Sequence, residues 1–140
     1  IKSSAASDVY KRQVITYIVD YLRRKQKLTL QEVAKVIAAS FWSTIERKPA
    51  EERAQEELLR KMFPSLLITG PFSIIFGYTG GLMALNDRLK LRSMVVAERG
   101  DRAYIASEEC AIRVIEPELD YVRAPRGGEP VIFELYGGVG

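Results

Sequence analysis

Between Gly70 and Ile115, short apolar runs alternate with residues that turn the backbone, and this alternation limits what the chain can become. Residues 72–78 are apolar and rich in β-prone side chains. Thr79-Gly80-Gly81 follows, with positive φ available for a tight turn. Residues 82–85 form a second apolar run, interrupted by the turn-forming side chains of Asn86-Asp87-Arg88. Residues 93–98 are a third run, and Gly100-Asp101 turns the chain into a fourth at 103–106. The pattern predicts four strands joined by tight turns. Ser107 is placed as an N-cap, with Glu108 and Glu109 in the first helical turn, where the helix dipole favours negative charge. Cys110, Ala111, Val114 and Ile115 then fall at helical spacing and predict a buried apolar stripe, with Cys110 a structural cysteine.

Upstream the periodicity is helical. Val14, Ile15, Ile18, Val19 and Leu22 share one face of a helix expected over 14–27, with Arg23, Arg24, Lys25 and Lys27 at its C-terminal end. That basic run reads as helix-end electrostatics; phosphate binding is the alternative, without an aromatic or glycine-rich partner nearby. Thr29-Leu30-Gln31-Glu32 is a capping box opening a second helix with Val33, Val36 and Ile37 inside. Phe41 and Trp42 are assigned to core or inter-helix packing, with an aromatic ligand platform as the minor reading. Pro49 suits the first turn of a third helix with Ala54, Leu58, Leu59 and Met62 on its buried side. Glu51, Glu52, Glu56 and Glu57 are assigned to a solvated face, with Glu56–Arg60 and Glu57–Lys61 as helical pairs. Residues 119–123 and 131–135 are further strands around the Pro125–Pro130 turn. Helices first and strands second predict an α+β fold in one domain.

Several function classes are disfavoured. The chain contains no histidine, so Ser-His-Asp and Cys-His catalysis cannot be assembled within it, and zinc is not expected. No apolar run approaches the roughly 18 residues that span a bilayer, so no membrane role is expected. The single cysteine fits a reducing, cytoplasmic setting. The formal charge of +3 comes from 21 basic and 18 acidic residues with interleaved signs, and no nucleic-acid partner is expected.

Gly70, Phe72, Asp87, Arg92, Ser107 and Glu108 carry a resemblance. A Gly-Pro-Phe-Ser strand start, a glycine-rich hairpin, an apolar strand ending in Asp, then Arg, then Ala106-Ser107-Glu108 opening a helix resembles the second half of the class II glutamine amidotransferase domain. Those proteins are N-terminal-nucleophile hydrolases. Their usual Arg-Asp-Pro-x-Gly-x-Arg-Pro-Leu is matched here at Asp87 and Arg92; Asn86, Arg88, Lys90, Ser93 and Met94 depart from it. The departures most resemble archaeal-type glutamate synthase glutaminase subunits. The resemblance implies part of an αββα sandwich. It also implies a parent that hydrolyses glutamine with an N-terminal cysteine and passes ammonia to a synthase subunit or domain, without cofactor or metal. The motifs for nucleophile, oxyanion hole and substrate would lie upstream of the matching region, so no catalytic residue is assigned in this chain. Ile1 is no nucleophile, and Cys110 has no free α-amino group to act as base. Gly128-Glu129 matches a family turn as geometry only. Two other readings stand beside this one: a non-catalytic interaction domain of the same fold, and a basic helical nucleic-acid binder.

The segment 3–13 resembles the translation of a sequencing-library adapter, and residues 1–13 are set apart as an artefact; residues 14–140 are assigned to the C-terminal part of the domain, with the resemblance covering 14–136. At the junction, the Asp, Thr and Glu of the family's Ser-Asp-Thr-Glu motif would align with Lys11, Arg12 and Gln13. Setting aside Lys2, Lys11, Arg12 and Asp8 leaves 18 basic against 17 acidic residues. Deleting residues 1–13 is expected to shift the melting temperature negligibly; a large loss of stability would show that they are a packed part of the protein.

Overall fold

A computed structural model describes residues 4–135. The fold is mixed α+β, with helices in the first part of the chain and two small antiparallel sheets in the second. Two compact units divide between Ile68 and Thr69.

In the first unit, α1 runs Ser4–Asp20 and continues as a π-helical segment, Tyr21–Lys25. The expected helix over 14–27 is therefore longer at its start and changes register near its end. Ala5, Ala6, Lys11, Arg12 and Gln13 are good helix formers, so a helix held by Ile15 and Leu22 extends backwards at little cost. At the far end, Gln26 N–H donates to the Tyr21 carbonyl at 3.2 Å, a π-type bond. Lys27 takes a positive φ of 59°, and Leu28 N–H closes onto the Leu22 carbonyl at 3.1 Å. This is a left-handed helix stop made without glycine.

The capping box forms as expected at α2 (Leu30–Ile37). Glu32 N–H donates to Thr29 Oγ1 at 3.2 Å, and Thr29 N–H to Glu32 Oε2 at 2.7 Å. The Thr29 backbone donor holds the Glu32 carboxyl below the usual range; burial opposes this, and Thr29 Oγ1, Gln55 and Lys35 reinforce it. Leu30, Val33, Ala34, Val36 and Ile37 are buried. A short α3 (Trp42–Ile45) follows with Ile45 inward. Phe41 and Trp42, assigned to core or inter-helix packing, are exposed rather than core, and Trp42 does pack between helices. The Trp42 ring lies under the Arg60 guanidinium, 4.3 Å from centroid to carbon, which lets the indole stay at the surface.

Pro49 precedes α4 (Ala50–Met62), whose inward side differs from the expected one. Leu59 is buried, but Ala54, Leu58 and Met62 are exposed, and Glu56 faces inward at 5% exposure. The solvated-face assignment of Glu56 is thus overturned, and the reason is charge pairing. Lys48 Nζ lies 2.6 Å and Lys35 Nζ 3.6 Å from Glu56 Oε1, and α2 packs against α4 to bring Lys35 there. Gln55 bridges the same helices, donating to Glu32 Oε1 at 3.1 Å and accepting from Lys35 at 3.0 Å. Arg60 donates to the Ser40 carbonyl. Glu57 does meet Lys61, at 3.5 Å, and also Arg53 at 3.8 Å. No helix is long and apolar enough to cross a membrane among the described residues.

In the second unit the strands are β1 (Ser73–Tyr78), β2 (Gly81–Asn86), β3 (Val95–Arg99), β4 (Arg102–Ala106), β5 (Tyr121–Arg123) and β6 (Val131–Glu134). Their order is β1-β2-β6 in one sheet and β4-β3-β5 in the other. Every strand expected from the alternation is present, with ends moved by a residue or two. Tyr78 pairs with Gly81 across a two-residue turn in which Gly80 supplies the positive φ, 93°. Ala84 and Val131 from the first sheet share a core with Val96 from the second, beside Met94, with Ile105 and Phe133 against it. Helix α5 (Glu109–Ile115) packs on β4 and β3.

Removing the Glu56 carboxylate leaves two lysines without their shared partner. Glu56→Ala is expected to cost about 2 kcal/mol, discounted from a fully buried pair because both lysines are partly exposed. Glu57→Ala, on exposed pairs, should cost at most about 0.5 kcal/mol. Urea unfolding of the two variants checks the difference; equal effects would show that Glu56 is not held as described.

Candidate functional site

The residues that carry the resemblance fall into two places. The first is a node at the end of β2. Asp87 is 2% exposed, and its carboxylate is satisfied by backbone donors. Leu91 N–H reaches Oδ1 at 3.1 Å and Oδ2 at 3.0 Å, Phe72 N–H reaches Oδ1 at 3.3 Å, and Arg92 N–H reaches it at 3.4 Å. The Asp87 backbone bonds too: its N–H donates to the Phe72 carbonyl at 3.0 Å, and its carbonyl accepts from Lys90 at 2.9 Å. Phe72, Asp87 and Arg92, spread over twenty-one positions of sequence, are therefore one hydrogen-bonded unit. Gly70, with φ of 87°, turns the chain into it just before Phe72.

Asn86 belongs to the same node, which its sequence reading as a turn residue did not reveal. It is buried as the last residue of β2, and its Nδ2 donates to the Arg92 carbonyl at 2.6 Å. Its Oδ1 has no hydrogen-bond partner among the described residues. Arg92 thus acts here through its main chain, giving its N–H to Asp87 and its C=O to Asn86. Its guanidinium is exposed and makes no hydrogen bond or ion pair among the described residues. Gly127 closes the other side of the loop: a Cβ there would stand 2.5 Å from the Arg88 carbonyl oxygen and 3.0 Å from Lys90 N. Glu129, in the same β5–β6 connection, accepts from Arg126 N–H at 2.7 Å and Arg123 Nη1 at 2.5 Å. Burial pushes its carboxyl up, but those two donors outweigh it and hold the group below the ordinary range.

The second place is the β4–α5 junction. Ser107 does not cap the helix. The N-cap is Glu108, extended at φ −140° and ψ 144°, without a side-chain cap bond, and the helix begins at Glu109. The expected stripe is also turned. Ile112 is the buried residue of α5, whereas Cys110, Ala111, Val114 and Ile115 are exposed. Two residues connect β4 to the helix, so the sheet fixes its roll and admits one inward side chain. Cys110 is therefore not a buried structural cysteine. Its Sγ lies 3.4 Å from Glu108 Oε2, with the thiol as donor. No group of three or more His, Cys, Asp or Glu side chains is placed to hold a metal among the described residues.

The basic segment is partly committed to the protein. Arg24 binds Asp20 with two bonds, at 2.6 and 3.1 Å, and Arg23 donates to the Leu28 carbonyl at 3.0 Å. Aromatic neighbours do exist on the helix: Tyr17 and Tyr21 are exposed, and Tyr21 Oη accepts from Gln26 at 2.7 Å.

No family model matches the chain. A curated protein of Archaeoglobus fulgidus, described as an uncharacterized protein, is 39% identical over 123 residues. That match covers 88% of this chain and 32% of the relative, so the chain spans about a third of the length of the curated protein it matches. No solved structure matches.

The node separates main-chain from side-chain roles. Asp87→Ala leaves buried N–H donors without an acceptor and is expected to cost about 3 kcal/mol. Arg92→Ala keeps both backbone bonds and should stay within about 0.5 kcal/mol of the parent. Denaturant titration of both variants checks this; a destabilised Arg92→Ala would assign the guanidinium a structural role.

Proposed function

We propose that this chain is the C-terminal part of a class II glutamine amidotransferase domain. Its parent hydrolyses glutamine to glutamate and ammonia in the cytoplasm and hands the ammonia to a synthase partner such as glutamate synthase. The observation that carries the reading is the Asp87 node: Phe72, Asp87 and Arg92, three of the residues behind the resemblance, meet through hydrogen bonds at the end of β2. The two antiparallel sheets with a shared core and a helix on one of them supply layers that an αββα sandwich requires. A relative from an archaeon agrees with the archaeal-type branch, and its greater length leaves room for the remaining half of the domain.

In this reading an upstream N-terminal cysteine attacks the side-chain amide carbon of glutamine, with the free α-amino group taking the thiol proton. The tetrahedral intermediate collapses to a thioester and releases ammonia. Water then attacks the thioester, giving glutamate and restoring the thiol. The residues of this chain contribute framework rather than chemistry. Cys110 lies within α5 with its nitrogen in a peptide bond, so it has no α-amino base.

A second reading, a non-catalytic interaction domain of the same fold, is favoured by one feature. Val114 and Ile115 on α5 are 85% and 74% exposed, an apolar pair open to a partner.

An assay of glutamate release decides between them. The isolated chain is expected to be inactive, and a longer reading frame beginning at a cysteine is expected to be active. Turnover by this chain that Cys110→Ala abolishes would overturn the proposal. Inactivity of a longer frame that lacks a leading cysteine would favour the interaction domain.

A further inference from the structure

The loop from Asp87 to Met94 joins β2 to β3, and each of these is the middle strand of its sheet. The loop therefore lies at strand ends, away from β1, β6, β4 and β5, the edges where further strands would add to either sheet. The β5–β6 connection meets it there. A Cβ on Gly127 would stand 2.5 Å from the Arg88 carbonyl oxygen and 3.0 Å from Lys90 N, so the two loops touch backbone to backbone.

Together the loops carry Arg88, Lys90, Arg92 and Arg126. Leu89 and Leu91 alternate with the first three, 59% and 58% exposed, and Arg92 and Arg126 are exposed with them. The acidic groups of the same loops are already engaged. Asp87 is buried and accepts from the N–H groups of Phe72, Leu91 and Arg92. Glu129 accepts from Arg126 N–H and from Arg123. The patch is thus basic and apolar at once, with its cations in excess.

We propose that this patch docks an acidic surface of another protein, which sets carboxylates against Lys90, Arg92 and Arg126 and apolar side chains against Leu89 and Leu91. Charge selects against a second copy, because the patch has no free carboxylate to offer its own cations. Nucleic acid would leave both leucines without a partner, and neither loop holds an aromatic side chain on which bases could stack. A small anion would leave the leucines in water. A bilayer is laterally fluid and accepts cations and apolar groups in any arrangement, with aromatic anchors at its surface. Here the arrangement is fixed, by the Asp87 hydrogen bonds, by Gly127 and by Lys90 at φ 53°, and the aromatic anchors are missing. Fixed cations suit the fixed carboxylates of a folded partner. Further strands of the same sandwich would add at the sheet edges and leave this loop uncovered. Any folded partner with this chemistry fits, the synthase of the proposed function included.

A labelled amphipathic helical peptide, with glutamates flanking a leucine stripe, stands in for such a surface and is followed by fluorescence anisotropy. Saturable binding is expected, weakening as salt rises. Serine in place of the peptide's leucines should weaken it at least about threefold. Arg92→Glu combined with Arg126→Glu should weaken it at least about tenfold. Lys25→Glu combined with Lys27→Glu makes the same change in net charge on the first unit and should leave binding within about twofold. Circular dichroism melts should show both double variants folded. Backbone amide NMR of the unaltered chain needs no variant: adding the peptide should shift residues 88–92 and 126–127. Absence of binding, an equal loss in the Lys25 and Lys27 variant, or shifts confined to other residues would overturn the proposal. So would binding indifferent to the peptide's leucines, or tighter binding to phosphatidylcholine vesicles containing phosphatidylserine than to the peptide.

Discussion

The second unit depends on a buried carboxylate that is held by backbone donors. Asp87 is buried at the end of β2, where an unpaired negative charge would ordinarily be costly. Its oxygens are met by the backbone N–H groups of Phe72, Leu91 and Arg92 instead. Phe72 leads directly into β1, and Leu91 and Arg92 lie on the loop that leads to Met94 and β3. One side chain therefore ties the start of the first sheet to the connection that enters the second. With the Lys90 backbone at a positive φ of 53° and Gly127 against the Arg88 carbonyl, that loop has little freedom left.

The first unit uses the opposite device. Glu56 is buried and is neutralised by lysines from two directions, Lys35 on α2 and Lys48 just before α4. Such a triad adds little net stability over an apolar core of equal volume, because each ion loses water. What it supplies is orientation. With Glu56 and Leu59 inward, α4 can take only one roll against α2, and Gln55 then bridges Glu32 and Lys35 in register. The exposure of Leu58 and Met62 follows from that choice.

Legibility in the sequence tracks how local each determinant is. The capping box at Thr29, the Gly80 turn and the alternation of the strands were readable because each rests on contacts a few residues apart. The roll of α4 was not, since Leu58, Leu59 and Met62 satisfy helical periodicity as well as Glu56 and Leu59 do; only Lys35 and Lys48, distant in sequence, break the tie. The same holds for α5, where four apolar residues suggested a buried stripe and the short link to β4 turned Ile112 inward instead. The helix stop at Lys27 was hidden because lysine is an uncommon left-handed residue. In the node, Asp87 and Arg92 could be singled out by motif. Nothing in the pattern indicated that Arg92 would serve through its backbone, or that Asn86 would join it.

This division bears on what the matching residues can do. A carboxylate that accepts from the N–H groups of three residues has little acceptor capacity left for a substrate or a metal. Asp87 is therefore a positioning residue, whose effect reaches any ligand through the loop it shapes. Phe72 is buried beside it and is equally confined to framework. Arg92, Ser107 and Glu108 are exposed, and of these Arg92 alone brings a cation to the surface from a loop whose backbone is fixed on both sides. A guanidinium on a rigid base loses less freedom when it meets a carboxylate than one on a mobile loop does. Within the proposed domain, Arg92 is thus the matching residue best placed to act outward, while the residues beside it keep its position constant.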